Sequence, residues 1–278
     1  MKVAKPILLS FLALAATASA DENLFGWVRG AETLPKGHFD LYETVTFRTG
    51  KNVGEYRGFD SDTEVEYGFT DRLQASISVV NRYIYSHGND ELDNTNHFTF
   101  GGFEAAVKYR ILSPFKDPVG LAVRLETGWL LHDEVAGMME HEIYVAPEII
   151  LQKNFLDDTL VTELNAGVEY AWGKLPAEQY PREFAFQAGA GISYRVAPNW
   201  FVGLEGHVRA EYPLFNINNF EHVVVYAGPT VHYSSKKWWA TVGWGFQVYG
   251  HGVDEDSKNR TFAEETLHQV RVKLGFNF

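Results

Sequence analysis

Gln269-Val270-Arg271-Val272-Lys273-Leu274-Gly275-Phe276-Asn277-Phe278 decides how the rest of the chain reads. Successive side chains of a strand point to opposite faces. Val270, Val272, Leu274, Phe276 and Phe278 therefore share one face, while Arg271 and Lys273 lie on the other. A slip of one residue would move both cations to the apolar side, so the register is strongly specified. The same period of two extends back through the chain. Trp238, Val242, Trp244 and Phe246 oppose Thr241, Gly243, Gly245 and Gln247, and Val202, Leu204 and Val208 oppose Glu205, His207, Arg209 and Glu211. Twelve such runs fall near 37–48, 59–69, 73–86, 98–111, 119–131, 141–153, 159–173, 183–196, 200–212, 221–234, 238–249 and 266–278. Three positions break the pattern. Glu43 falls on the apolar face of the first run, and Pro147 and Pro229 sit inside two others, where a missing N–H implies a bulge or a strand edge.

Short links such as Thr70-Asp71-Arg72, 154–158, Ala197-Pro198-Asn199 and Ser235-Lys236-Lys237 alternate with longer polar loops near 49–58, 87–97, 132–140, 174–182, 213–220 and 250–265. Six loops and five turns require twelve strands with both ends on the short-turn side. In outer-membrane barrels the short turns face the periplasm. Phe69, Tyr109, Tyr194, Trp200, Tyr233, Trp238 and Phe276 lie toward the short-turn ends; Tyr85, Trp129, Tyr170, Trp172, Phe184, Tyr212 and Phe246 lie toward the long loops. Two bands of amphipathic rings suit two lipid–water interfaces. The fold expected is all-β: a transmembrane, antiparallel up-and-down β-barrel of about twelve strands.

Composition agrees with this reading. Aromatic residues reach 15%, yet the mean hydropathy is −0.21, as expected when strands show one face to lipid and the other to water. Cysteine is absent, which removes disulfide scaffolds, thiolate metal sites and cysteine nucleophiles. A net charge of −12 argues against nucleic acid as a partner. Lys2 and Lys5, the apolar run 7–16 and Ala18-Ser19-Ala20 before Asp21 read as a cleaved signal peptide over 1–20. Residues 21–36 then form a periplasmic N-terminal segment, too short for a plug domain, and 37–278 form the barrel. Location in the outer membrane follows, with outer-membrane lipid as surroundings.

Asn23-Leu24-Phe25-Gly26-Trp27-Val28-Arg29-Gly30-Ala31-Glu32-Thr33-Leu34-Pro35-Lys36-Gly37 resembles the opening of an uncharacterised family of proteobacterial outer-membrane barrels. Thr63-Glu64-Val65-Glu66-Tyr67-Gly68-Phe69-Thr70-Asp71-Arg72-Leu73-Gln74 is similar to that family's second strand, turn and third strand. Its Tyr-Gly-aromatic-Thr-Asp-Arg-Leu core is also similar to barrels grouped with proposed transporters of aromatic-degradation pathways. The resemblance implies a barrel and a location, with no activity attached. The final strand with its terminal Phe278, and Phe276 before it, resembles the signal read by the barrel-assembly machinery, which is thereby expected as a partner.

Function is sought on the inward face. Asp60, Asp62, Glu64 and Glu66 form an acidic wall, and Lys108, Arg110 and Arg124 a basic one, with Arg271 and Lys273 on the last strand. Glu104, Glu126, Glu163, Glu169, Glu205 and Arg209 share that face. Opposed charge rows orient and select small polar solutes; paired with each other, they fill the lumen instead. Twelve strands lie between a barrel filled by side chains and a porin. A channel or transporter for small solutes is the first reading. A structural or interaction barrel with functional external loops is the second. Gly167, Gly189, Gly191, Gly203, Gly243 and Gly245 point inward too, as a ligand cleft or as relief for strand bending.

Chemistry beyond transport has weak support. His232-Tyr233-Ser234 has the His-x-Ser spacing of the outer-membrane phospholipase family, but no orienting acid or amide can be assigned. Parity points the pair inward and the following turn puts it at the periplasmic end, whereas that family works at the outer, lipid-facing surface. Loop clusters around His87, Asp90, Glu91, Asp93 and His97, around His132, Asp133, Glu134, Glu140, His141 and Glu142, and around His251, Asp254, Glu255 and Asp256 hold metal-ligand types without rigid spacing. No catalytic residue, metal or cofactor is assigned.

Overall fold

The computed structural model describes residues 23–90, 92–173, 182–253, 259–262 and 265–278. Twelve antiparallel strands form one closed barrel: β1 Phe39–Thr49, β2 Glu55–Thr70, β3 Leu73–His87, β4 Thr95–Leu112, β5 Gly120–His132, β6 Met139–Phe155, β7 Leu160–Trp172, β8 Arg182–Ala197, β9 Trp200–Pro213, β10 His222–Ser234, β11 Trp238–Gly252 and β12 His268–Asn277. Each strand pairs with its chain neighbour, and β1 closes on β12. All twelve expected runs are strands. Several extend further toward the long loops, so that His87, His97, His132, Glu140 and His251 belong to strands instead of loops, and His141 and Glu142 lie in β6 within the expected run. The expected signal peptide, Asp21, Glu91 and 254–256 fall outside the described residues.

Closure satisfies every strand edge, the condition a sheet must meet where no water is available. Val272 of β12 sits opposite Val45 of β1 and Val242 of β11, in the register that the period-two pattern requires. The outer wall inverts a soluble protein: Ile77 is 68% exposed and Leu204 61%, whereas Lys273 is 8% exposed on the inside. A continuous apolar belt of this kind needs hydrocarbon around it. Aromatic ladders cap it at both ends. Tyr233 packs between Trp200 and Trp238 at centroid distances of 4.9 and 4.7 Å on the short-turn side. Tyr170, Phe184, Phe186 and Tyr212 form a ring cluster toward the long loops.

The three irregular positions each have a local answer. Pairing of β6 with β7 skips Ala146 and Pro147, and pairing of β10 with β11 skips Gly228 and Pro229. In both cases the proline keeps its pairing on the other side, to Leu125 and Leu204. A side chain at Gly228 would collide with the Trp244 carbonyl, so glycine permits this close approach. Glu43 accepts hydrogen bonds from Ser61 Oγ at 2.5 Å and Thr63 Oγ1 at 2.6 Å on neighbouring β2. Two hydroxyls thus satisfy the carboxylate on the outer wall.

The N-terminal segment corrects the sequence reading. Expected as a periplasmic piece too short for a plug domain, residues 23–33 instead lie inside the lumen. Leu24, Phe25 and Val28 are almost fully buried and pack on Val161 and Phe201, and Ala31 packs on Ala122 and Ile150. The physical reason is plain: four large apolar side chains in six residues, from Leu24 to Arg29, find no cover in water and find it on apolar patches of the inner wall.

Candidate functional site

The inner wall grips the inserted segment mainly through its backbone. Glu205 of β9 receives Gly26 N–H on Oε1 at 2.8 Å, and Trp27 and Val28 N–H on Oε2 at 2.9 and 3.3 Å. Asn165 of β7 pairs with Arg29 as a strand would, accepting its N–H at 2.7 Å and donating to its carbonyl at 2.9 Å. Gln152 of β6 accepts Ala31 N–H at 2.8 Å, and Gln74 of β3 accepts Leu34 N–H at 2.7 Å. Trp27 lies between the His207 ring, 4.9 Å away and stacked, and the Arg271 guanidinium, 5.0 Å from the indole. Side-chain amides and carboxylates therefore replace the backbone partners that an irregular segment lacks.

The inward glycines belong to this arrangement. A Cβ at Gly191 would lie 2.6 Å from the Phe25 ring, one at Gly189 3.1 Å from Val28 Cγ2, and one at Gly243 2.6 Å from Glu205 Oε1 and 3.1 Å from Trp27. Gly245 adjoins Trp27 at 3.5 Å. Four of the six glycines thus form a cleft whose occupant is the chain's own segment. Gly167 and Gly203 instead approach the backbone of neighbouring strands, at the carbonyls of Pro147 and Ile192.

Beside the segment, a polar cavity of about 210 Å³ remains against β1–β5 and β12. Ten of the residues expected to face the lumen line it: Asp60, Asp62, Glu64, Glu66, Glu104, Lys108, Arg124, Glu126, Arg271 and Lys273. The others are elsewhere. Glu205 holds the segment, and Glu163 lies against Gly30 under it. Glu169 and Arg209 form an ion pair at 2.8 Å toward the long loops, with Arg209 also bonded to Glu211. Arg110 bonds the Asp71 carbonyl at 2.5 Å on the short-turn rim, away from the cavity.

The acidic and basic rows do not simply face each other. Arg124 pairs with Glu126 on its own strand, and Arg29 of the segment reaches Glu126 at 3.8 Å and Glu148 at 3.9 Å. Asp60 is held by Arg48 at 2.5 Å and Arg82 at 3.4 Å. Tyr42 donates to Glu64 at 2.5 Å, and Tyr144 to Glu104 and Glu126 at 2.8 and 2.9 Å. Arg48, Arg82, Tyr42 and Tyr144 were missed although the same parity rule places them inward. Arg29 was missed because its segment was placed outside. Toward the long loops, Arg48 and Tyr56 bind the carbonyls of Glu134 and Val135 at 2.7 and 3.0 Å, drawing the β5–β6 loop over the lumen.

The weaker sequence candidates take structural places. His232 is buried, with Nδ1 2.7 Å from Thr241 Oγ1; that hydroxyl donates to the Asn23 carbonyl at 2.5 Å, so His232 helps seat the segment. His97 and His132 lie 6.3 Å apart between ring centroids, and both ring nitrogens of His132 approach the Thr99 hydroxyl, at 3.1 and 3.2 Å.

Solved barrels share the architecture at low sequence identity. The COG4313 outer membrane channel from Pseudomonas putida F1 matches with a TM-score of 0.64 at 14% identity, over 89% of this chain and 98% of that one. The NanC porin matches at 0.53 and 10% identity, over 86% and 98%. The translocator domain of autotransporter NalP from Neisseria meningitidis matches at 0.51 and 13% identity, over 87% and 88%. A channel, a porin and a translocator domain share this shape, so the likeness establishes the fold and leaves activity to the site. No curated protein matches the sequence significantly. Residues 17–278 match the model of DUF6662, a family of unknown function, and the chain belongs to that family.

Proposed function

We propose that the chain is an outer-membrane channel for small polar solutes, with selectivity set by charged residues of the lumen. One observation carries the reading: a cavity of about 210 Å³ runs beside the inserted segment and is lined by both signs of charge. Lys108, Arg124, Arg271 and Lys273 share this space with Asp62, Glu64, Glu66 and Glu104. In a low-dielectric wall such groups orient a dipolar solute and penalise an unmatched charge. The likeness to channel and porin structures supports the reading at the level of shape. Short turns then face the periplasm, the apolar belt sits in outer-membrane lipid, and the last strand with Phe276 and Phe278 is what the assembly machinery reads. No catalytic step enters.

A second reading is a structural barrel closed at rest. It draws on the Glu205 clamp and the glycine cleft, which fill one side of the lumen with the chain itself. Swelling of liposomes that hold the refolded protein separates the two. A channel admits small zwitterions and sugars and excludes larger ones; a folded barrel whose liposomes do not swell in either supports the closed reading.

A further inference from the structure

At the long-loop mouth, the paired strands β9 and β10 place Glu211 directly opposite His222, both buried and facing inward. Glu221 precedes His222 and is fixed through its backbone: its N–H donates to the Glu211 carbonyl at 3.0 Å, and its carbonyl accepts Val253 N–H at 2.9 Å. One carboxylate oxygen from each glutamate and one ring nitrogen of His222 lie within 4.8 Å of one another. In a tetrahedral site with bonds near 2.0–2.1 Å, neighbouring ligand atoms are about 3.3 Å apart. Side-chain rotation of about an ångström therefore closes the set around an ion.

The surroundings fit the same purpose. Arg209 occupies Glu211 Oε1, while Oε2 is turned to His222 Nδ1 at 3.9 Å. Behind the ring, Glu265 Oε1 lies 3.7 Å from Nε2, and its other oxygen accepts the Tyr226 hydroxyl at 3.1 Å. A carboxylate behind the second ring nitrogen is the usual support of a metal-bound histidine, fixing its tautomer and orientation. Among the described residues, Arg209 pairs with Glu169 and Glu211, while Glu211, Glu221 and Glu265 gather about His222, so carboxylates outnumber the guanidinium there and a dication would reduce the excess.

We infer that Glu211, Glu221 and His222 form a binding site for a divalent transition metal. The mixed nitrogen and oxygen donors favour Zn²⁺ or Mn²⁺ over Ca²⁺ and Mg²⁺, which take oxygen ligands. A bound ion would join β9 to β10 and, through Glu265, the β11–β12 loop, stiffening that side of the mouth. The assignment is independent of whether the lumen conducts.

The test uses untagged, refolded mature protein in detergent, stripped with a chelator and titrated with Zn²⁺ and separately with Mn²⁺ by calorimetry. One equivalent is expected to bind, with Ca²⁺ and Mg²⁺ failing to displace it. His222→Ala and Glu221→Gln should each weaken binding by about tenfold or more, and Glu265→Gln by about tenfold with the stoichiometry kept. Zinc-edge X-ray absorption should show a single imidazole among oxygen donors. Glu221→Gln retains the backbone bonds of that residue, so a folded variant, judged by heat-modifiable gel mobility, is to hand even if His222→Ala misfolds. No stoichiometric binding by the folded protein, binding indifferent to all three changes, or equal affinity for Ca²⁺ would overturn the site.

Discussion

The Glu205 carboxylate and the Gly26 N–H, 179 residues apart in sequence, meet at 2.8 Å inside the barrel. That contact begins a run in which one acidic side chain serves three successive backbone donors. A hydrogen bond to a charged group contributes about 1.5–3 kcal/mol net. Glu205 is therefore the main polar anchor of the segment, and the first prediction concerns it.

Glu205→Ala leaves Gly26, Trp27 and Val28 N–H without their acceptor. A loss of about 2 kcal/mol in seating raises the population of the displaced segment on the order of thirtyfold. The chain has no cysteine, so Val28→Cys reports directly. Its thiol should react slowly with a water-soluble maleimide in the parent barrel and at least about tenfold faster with Glu205→Ala added. Equal rates would mean that the carboxylate does not hold the segment.

Gly191→Val tests the cleft by volume. Its Cβ would meet the Phe25 ring at 2.6 Å, and that ring is packed against Val161 and Phe201. Overpacking of this kind costs about 1–3 kcal/mol. The segment should be expelled while the barrel keeps its heat-modifiable mobility. Gly245→Ala, whose nearest neighbours are at 3.4 and 3.5 Å, should behave as the parent does. The Val28→Cys labelling rate distinguishes the two.

Glu43→Leu tests the lipid-facing wall. The carboxylate stands on the outer face of β1 and is satisfied by Ser61 and Thr63 alone among the hydrogen bonds seen for it. In hydrocarbon an acidic side chain carries a depth-dependent penalty smaller than that of lysine or arginine. Replacing it should stabilise the barrel in vesicles by about 1 kcal/mol, read as a higher urea midpoint. A lower midpoint would show that this face does not meet lipid.

Much of the fold was legible because one constraint acts on every strand. On β12 any slip exposes Arg271 and Lys273 to lipid, so alternation fixes face, register and closure together. Strand ends were less legible. Beyond the belt both faces are polar, as at His87 and His97, and alternation fades while pairing continues. The cavity residues followed from parity, and Arg110 shows its limit: parity gives the face but not the height, and that residue sits on the rim.

The inserted segment was not legible as such. Leu24 to Val28 carries apolar residues with no strand period, and nothing local says what covers them. The usable signal was a coincidence of two features: inward glycines over several strands and a short apolar stretch outside the barrel pattern. Neither determines the other without three-dimensional register. The Glu211–His222 pair was hidden for the same reason, being opposed across strands while eleven positions apart in sequence.

The most direct measurement of the central claim is the reversal potential of single channels under a KCl gradient, compared between the parent protein and Arg124→Ala. Arg124 lines the cavity and pairs with Glu126, so its removal leaves that carboxylate to the Tyr144 hydroxyl at 2.9 Å and Arg29 at 3.8 Å and makes the path more negative. The account predicts discrete current steps in both proteins and a shift toward potassium selectivity in the variant, strongest at low salt. Folded, inserted barrels that pass no current, or steps whose reversal potential is unchanged by Arg124→Ala, would contradict it.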